Sequence, residues 1–411
     1  MHSEHCRVLN VSAAQIARAI ADAARRWTDA DFPPRVRTTR ALVERTGYTE
    51  PVVDYALDRL FECITGDALR EAIAGELGSL AALDGFVSRP GRPDVYFRGA
   101  ARVAIVASDT TIGVAIPALI FALCAKSQVL VKDREDKLVA SFAHTLAEEE
   151  PALRERMLVD VWNGADETAT RAHLGDAQVV VAYGSDEALR AIRTQLVPTA
   201  RFVPFGHRTS VGYIARESLE DARRTRELAR ATALDALLYD GEGCLSLHAL
   251  FVERGGSCDP ADFARELARA CDELAIQFPP GPRQSDARAM TYRRAAAFRA
   301  AQGHGALYGD PAARHLVAYD APRNEPPPLS SRTIAVYPVA GPTEALAYLQ
   351  DHALPLEAFA CDDDRADIAA LAVASGAARI ARLGTLQRPP LGGEHGGEGR
   401  ILPFVRAIYR A

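Results

Sequence analysis

Apolar positions recur along the chain in two rhythms. Between about residues 11 and 83 they fall three and four apart, in alanine-rich stretches at 13–27, 40–46, 52–64 and 69–80, and this predicts amphipathic helices. The run Pro90-Gly91-Arg92-Pro93 then breaks the pattern. From residue 101 short β-branched runs alternate with helical spacing, which predicts strands at 103–107, 128–132, 157–161, 178–182 and 201–203. Helices at 114–126, 135–149, up to 173 and 186–196 separate them. Strands that are apolar throughout, with helices between them, make a parallel sheet covered on both faces.

A second α/β unit begins after Gly206. A helical pattern at 217–238 leads to a strand at 247–252, a helix at 260–276, the loop Pro279-Pro280-Gly281-Pro282 and a helix at 286–301. Strands at 315–319, 333–339, 356–360 and 378–381 follow, with helices at 343–352 and 365–376. The tail from Pro389 to Arg400 is rich in glycine and reads either as a connector or as a functional loop. Nothing repeats at a fixed period.

Composition narrows the class. A chain of 411 residues predicts two or three domains, and 48% hydrophobic content, 25% charged content and a net charge of −6 describe a soluble protein with no footprint for nucleic acid. Arg223, Arg224 and Arg226 are interleaved with Glu220, Asp221 and Glu227, as on a solvated helix face. The seven cysteines, Cys6, Cys63, Cys124, Cys244, Cys258, Cys271 and Cys361, form no CxxC pair, so a reducing compartment is expected and a disulfide framework or zinc site is not. The first residues are polar and the apolar run 112–124 is short and broken by Pro117. The expectation is a cytoplasmic protein without a membrane span.

Candidate chemistry centres on Leu237-Leu238-Tyr239-Asp240-Gly241-Glu242-Gly243-Cys244-Leu245-Ser246, between a helix and a strand. Two glycines allow a tight turn whose free N–H groups would face an oxyanion and lower the thiol pKa, as a nucleophile requires. The alternative is a buried cysteine packed as a small hydrophobe. Parallel sheets bind ligands beyond the carboxyl ends of their strands. Lys132 ends one strand, and Tyr183-Gly184-Ser185 ends another just before a helix, where N–H groups meet phosphates. No GxGxxG fingerprint is present.

Taken in order, several segments resemble the aldehyde dehydrogenase superfamily, in particular its acyl-CoA reductase branch that supplies aldehyde to bacterial luciferases. Ile116-Pro117-Ala118-Leu119 through Lys132 is similar to the helix and strand that end in the adenosine-ribose lysine. Val181 to Ser185 resembles the phosphate-side turn, Phe205-Gly206-His207-Arg208-Thr209-Ser210 the segment after the last cofactor-domain strand, 231–244 the helix and turn of the nucleophile, and 389–399 the C-terminal glycine loop. The resemblance covers roughly 100–400 and implies an α/β fold of the aldehyde dehydrogenase kind. Its regions are an N-terminal helical region (1–95), a parallel-sheet nucleotide-binding domain (96–206), a catalytic domain (207–385) and a glycine loop with a return segment (386–411).

The resemblance implies roles residue by residue: Cys244 as the acylated nucleophile, Lys132 on the cofactor ribose, Gly184 and Ser185 on the pyrophosphate side, and Phe205 with Gly206 at the cofactor. It implies NADPH, with NADH as the alternative. Arg134 could pair with a 2′-phosphate, whereas Glu135 is spaced to accept from ribose hydroxyls and disfavour it. Hydrolytic members carry a glutamate base where this chain has Val203-Pro204-Phe205-Gly206, and without it an acyl-enzyme outlives attack by water. Asp109 stands where an asparagine amide commonly supports the oxyanion. The implied activity is reduction of an acyl-CoA or acyl-carrier thioester to an aldehyde, with an acyl-activating partner protein and a homo-oligomeric state expected. The alternatives are an aldehyde dehydrogenase working in the oxidative direction and a non-catalytic binding subunit, and no metal is expected. His207, His248 and His395 read as surface or packing residues.

Overall fold

The computed structural model describes residues 11–108, 111–134, 137–282, 287–309, 314–320 and 326–410. They group into two units, one of Met1–Thr46, Val53–Gly206 and Pro390–Ala411, the other of Gly47–Val52 and His207–Pro389.

In the first unit, α1 (Ala13–Trp27), α2 (Pro33–Thr46), most of α3 (Glu50–Glu62) and α4 (Gly66–Leu77) follow the apolar periodicity of the chain. Ser12 and Gln15 start α1 as a capping box, so two otherwise orphaned N–H groups are satisfied at once. At its other end Trp27 is fully buried against Phe61 at 5.0 Å, and its indole N–H donates to Thr145 at 3.1 Å. The expected break at Pro90-Gly91 is a hairpin turn between β1 (Val87–Arg89) and β2 (Arg92–Gly99). β2 pairs antiparallel with β15 (Val405–Arg410), the last strand among the described residues. Glu76 of α4 secures the approach to it, accepting from the backbone N–H groups of Arg400 (2.5 Å), Ile401 (3.0 Å) and Leu402 (2.9 Å).

The alternating part of this unit is doubly wound. Its strands are β3 (Arg102–Val106), β4 (Gln128–Lys132), β5 (Met157–Asp160), β6 (Val179–Tyr183) and β7 (Arg201–Phe205). α5 (Ala115–Cys124), α6 (Leu138–Glu149), α7 (Glu167–Leu174) and α8 (Asp186–Gln195) connect them. The order β5-β4-β3-β6-β7 is parallel throughout, and it reverses between β3 and β6, the point at which open α/β sheets receive ligands.

The second unit is built on a seven-stranded sheet. In chain order its elements are β8 (Thr209–Ile214), α9 (Ala222–Leu237), β9 (Leu247–Glu253), α10 (Pro260–Gln277), α11 (Ala287–Ala301), β10 (Gly305–Gly309) and β11 (Leu316–Asp320). They continue as β12 (Thr333–Val339), α12 (Pro342–Asp351), β13 (Leu356–Cys361), α13 (Ala366–Ala374) and β14 (Arg379–Arg382). The order is β10-β11-β12-β9-β8-β13-β14, with only the β10/β11 pair antiparallel. Every residue of β8, β9, β12 and β13 is buried, as expected of strands covered on both faces. The periodicity reading passes from Gly206 to a helix and omits β8. Gly212 weakens the strand pattern there, but a side chain at 212 would meet Leu247 at 2.8 Å and Leu250 at 2.9 Å.

One buried carboxyl makes this unit sensitive to pH. Asp235 of α9 is fully buried and accepts from the N–H groups of Gly384 (2.6 Å) and Leu386 (3.1 Å). Burial outweighs those bonds and raises its pKa from 3.8 to about 7. A folded-state pKa above the unfolded one means that the group stabilises most below about pH 4 and that this contribution is lost as pH rises through about 7. The urea midpoint of wild type should therefore fall across that window, and Asp235→Asn should show a flatter dependence whatever its absolute stability. An equal slope in both proteins would refute the assignment. Among the described residues no helix is long and apolar enough to cross a membrane.

Candidate active site

The turn before Cys244 is made by a different set of residues from the glycine pair expected. Tyr239 (φ 55°), Asp240 (φ 52°) and Gly241 (φ 71°) are successively left-handed, whereas Gly243 is not. Two non-glycine residues in that region cost about 1–3 kcal/mol each and persist only where their surroundings hold them. Arg332 does this holding. Its N–H donates to the Asp240 carbonyl (2.9 Å), its Nη1 to Asp240 Oδ1 (3.0 Å), its Nε to the Arg314 carbonyl (2.7 Å) and both Nη atoms to the Phe278 carbonyl (3.3 Å). Ser331 Oγ donates to the Asp240 carbonyl at 3.0 Å. Arg332 and Asp240 are both almost wholly buried.

Cys244 follows, half-buried, at the amino end of β9. Ser210 Oγ of β8 donates to its carbonyl at 2.9 Å. On both sides of Ser210 the sheet slips by one residue. Between β8 and β13 the pairs are Leu356↔Thr209 and Ala358↔Ser210, which leaves Glu357 surplus. Between β8 and β9 they are Ser210↔Leu247 and Val211↔Ala249, which leaves His248 surplus. Such bulges re-aim side chains and are frequent beside active sites. Glu357 is 3% exposed and His248 7%. Arg208 Nε lies 3.8 Å from Glu357 Oε2, and Arg208 Nη1 donates to the Leu356 carbonyl at 3.3 Å. The second sheet thus gathers its chemistry at the amino ends of its strands, opposite to the usual position in open α/β sheets.

The expectation of a lowered thiol pKa is overturned. Burial pushes the Cys244 thiol up to about 12, and the charge of Glu357 adds to the rise. The N–H groups of Cys244 and Leu245 and the charge of Arg379 favour the thiolate, but by less. His248 is pushed down to about 4, chiefly by burial, so its imidazole is neutral near pH 7.

The first unit carries the residues expected at the cofactor. Lys132 ends β4, with its ammonium 5.2 Å from the centre of the Trp162 ring. The same indole stacks on His173 at 4.3 Å and 5° and donates its N–H to Thr170 Oγ1 at 3.2 Å. His173 Nε2 meets Asp160 at 2.9 Å, and the Ala169 carbonyl, followed by Asp160, holds the imidazole pKa above its ordinary value. A side chain at Gly164 would lie 2.9 Å from Lys132 Nζ. Arg134 lines a small cavity with Arg45, Asp133 and Gly113. Ser185 caps α8, accepting from the Ala188 N–H at 3.2 Å, and Gly184 donates to the Phe205 carbonyl. A side chain at Gly206 would meet Asp186 at 2.8 Å. Phe205, Tyr183 and His395 of the glycine loop form a cluster of three rings, with Phe205 4.9 Å from Tyr183 and 4.2 Å from His395, and Tyr183 5.8 Å from His395. Asp109 and Glu135 lie outside the described residues.

Several of these residues escaped the sequence reading. Glu357 was visible as a lone acid inside the apolar run Leu356-Glu357-Ala358-Phe359-Ala360, a pattern that marks either a partnered charge or a site. Trp162, beside Asn163-Gly164 at a strand end, gave a similar signal. Ser210 and Arg332 gave none, because their roles depend on register and on contacts made far along the chain.

The acyl-CoA reductase (LuxC) family model matches residues 8–407. A long-chain acyl-protein thioester reductase of Aliivibrio fischeri is 24% identical over 293 residues, which is 68% of this chain and 58% of that protein, so the chain spans less than two thirds of that relative. Among solved structures, a NAD-dependent benzaldehyde dehydrogenase from Corynebacterium glutamicum is 15% identical with a TM-score of 0.68, covering 98% of this chain and 86% of that one. Aldehyde dehydrogenase 21 from Physcomitrella patens is 10% identical with a TM-score of 0.70, covering 97% and 86%. Likeness at such identities establishes the fold, which is that of the aldehyde dehydrogenases. With the family model matched from near one end of the sequence to near the other, the chain belongs to the acyl-CoA reductase (LuxC) family.

Proposed function

We propose that the protein reduces an acyl thioester, presented on CoA or on an acyl carrier, to the aldehyde at the expense of NADPH, through an acyl group held on Cys244. The observation that carries this reading is the Cys244 turn, left-handed at three successive residues and clamped by Arg332, with two main-chain N–H groups beside the sulfur. Strain of this kind is retained where it serves a site. Membership of the family and the name of the Aliivibrio relative support the reaction class.

The residues of the first unit suit a nicotinamide dinucleotide. Glycine at 164 and at 206 lets Lys132 and Asp186 come close to the backbone at the strand ends, and Gly184 with Ser185 begins α8, where a helix N-terminus favours phosphate. Lys132 and Arg134 bring positive charge to the end of β4, which favours the additional phosphate of NADPH over NADH. When bound, the cofactor supplies hydride. The chain does the rest. The Cys244 sulfur attacks the acyl carbon and displaces the thiol, and the N–H groups of Cys244 and Leu245 stabilise charge on the acyl oxygen. Residues 203–206 bring no carboxylate to activate water, so the acyl group waits for reduction.

Intact-protein mass spectrometry tests this. Incubation with a panel of acyl-CoAs and acyl-carrier thioesters should give a single acyl adduct that maps to Cys244 and is discharged as aldehyde when NADPH is added. An adduct elsewhere, or discharge mainly as free acid, would overturn the reading.

A further inference from the structure

Attack on a thioester needs a thiolate, yet Cys244 rests as a thiol, so its proton must pass to a neighbour as the sulfur bonds to carbon. The candidate groups come from four adjacent strands. On β9, His248 is a surplus residue whose Nδ1 has no hydrogen-bond partner among the described residues. On β8, Arg208 precedes the strand and Ser210 fixes the cysteine carbonyl. On β13, Glu357 is the other surplus residue, and Arg379 of β14 pairs with the next residue, Ala358.

We propose that Glu357 is the proton acceptor of Cys244: its carboxylate takes the Sγ proton as sulfur bonds to the acyl carbon, and passes that proton to the sulfur of the departing thiol as the old C–S bond breaks. No electrons change hands, and thioester plus protein thiol become protein thioester plus free thiol. The register slip places this carboxylate at the same end of the sheet as the nucleophile, on the strand that flanks the Thr209–Ser210 step. Arg208, 3.8 Å from Oε2 and bonded to the Leu356 carbonyl, positions it. At 3% exposure it is sealed from bulk water, which limits hydrolysis of the waiting acyl group by the same base. His248 is the weaker candidate, since its imidazole already bonds the backbone at Pro328 and Thr333 and also feels the charge of His207. This inference rests on Cys244 being the acyl acceptor.

The experiment compares two reactions of one sulfur in wild type and Glu357→Gln: acylation by acyl-CoA in rapid-quench mass spectrometry, and alkylation by iodoacetamide as a function of pH. Acylation should slow by about 10²-fold or more, because a general base has been lost. Alkylation near pH 8 should become several-fold faster, because the charge that disfavours the thiolate is gone. A merely structural residue would move both rates the same way. Acylation within about threefold of wild type, or a parallel loss of both rates, overturns the proposal. If the glutamine variant does not fold, Glu357→Asp carries the test, since it keeps the charge at a shorter reach. Its alkylation profile should match wild type while its acylation slows roughly tenfold or more, and wild-type acylation in it overturns the proposal. If wild-type Cys244 is alkylated yet never acylated, the reading beneath falls and this one with it; if wild type acylates and Glu357→Gln matches it, only this one falls.

Discussion

Cys244→Ala should give no acyl adduct and slow aldehyde release by at least about 10⁴-fold, the scale seen when a covalent nucleophile is removed from a preorganised site. Among the described residues of the second unit, no other thiol sits at the amino end of the central strands. Cys124 and Cys271 are buried in the cores, where burial alone drives both thiols far from ionisation, and Cys361 closes β13 at the end opposite to Glu357. Cofactor affinity should be unchanged, because Lys132, Gly184, Ser185 and Phe205 belong to the other unit. Fluorescence titration with NADPH alongside single-turnover assays separates the two quantities. Full turnover by the alanine variant would remove Cys244 from the chemistry, and loss of NADPH binding would show that the substitution damages more than one sulfur.

Arg332→Met should destabilise the second unit by about 3–5 kcal/mol, the cost of breaking a buried ion pair by deleting one partner. The estimate is grounded in what remains. Asp240 would keep a buried carboxylate without its 3.0 Å partner, and the carbonyls of Phe278 and Arg314 would lose their donors. Tyr239 and Asp240 would then be free to leave the left-handed region, and the Cys244 thiol would become more accessible to solvent. Urea unfolding should report the loss, and faster alkylation of Cys244 under native conditions should report the loosened turn. Adding Asp240→Asn should recover part of the stability, because it removes the stranded charge. A single variant with an unchanged midpoint would mean that the turn is held by something other than this pair.

What the sequence revealed follows from the range of the interactions involved. The doubly wound first unit was legible because strands such as Val179–Tyr183 are apolar end to end and helices of regular period separate them. The turn before Cys244 was legible because it is written in adjacent residues. β8, the strand on which the second unit turns, was not, because its glycine answers to Leu247 and Leu250 rather than to local propensity. The state of the thiol was not legible either. Local N–H groups favour the thiolate as expected, but burial and a carboxylate from β13 outweigh them. The strained residues before Cys244 were passed over because Tyr and Asp have no intrinsic need for positive φ, and their conformation is imposed by Arg332 from the start of β12.

The pairing of β2 with β15, and the grip of Glu76 on residues 400–402, bear on how the chain is made. The whole of His207–Pro389 emerges from the ribosome before the strand that completes the three-stranded sheet. While that stretch is being synthesised, the free edge of β2 and the vacant carboxylate of Glu76 await partners that do not yet exist. The second unit can fold during translation, whereas the first finishes only after residues 390–410 have been released. In the interval β2 is an exposed edge, open to strands of other nascent chains. Its run of Arg92, Asp94 and Arg98 sets charges along that edge, a guard against such pairing during the part of the protein's life when it is needed.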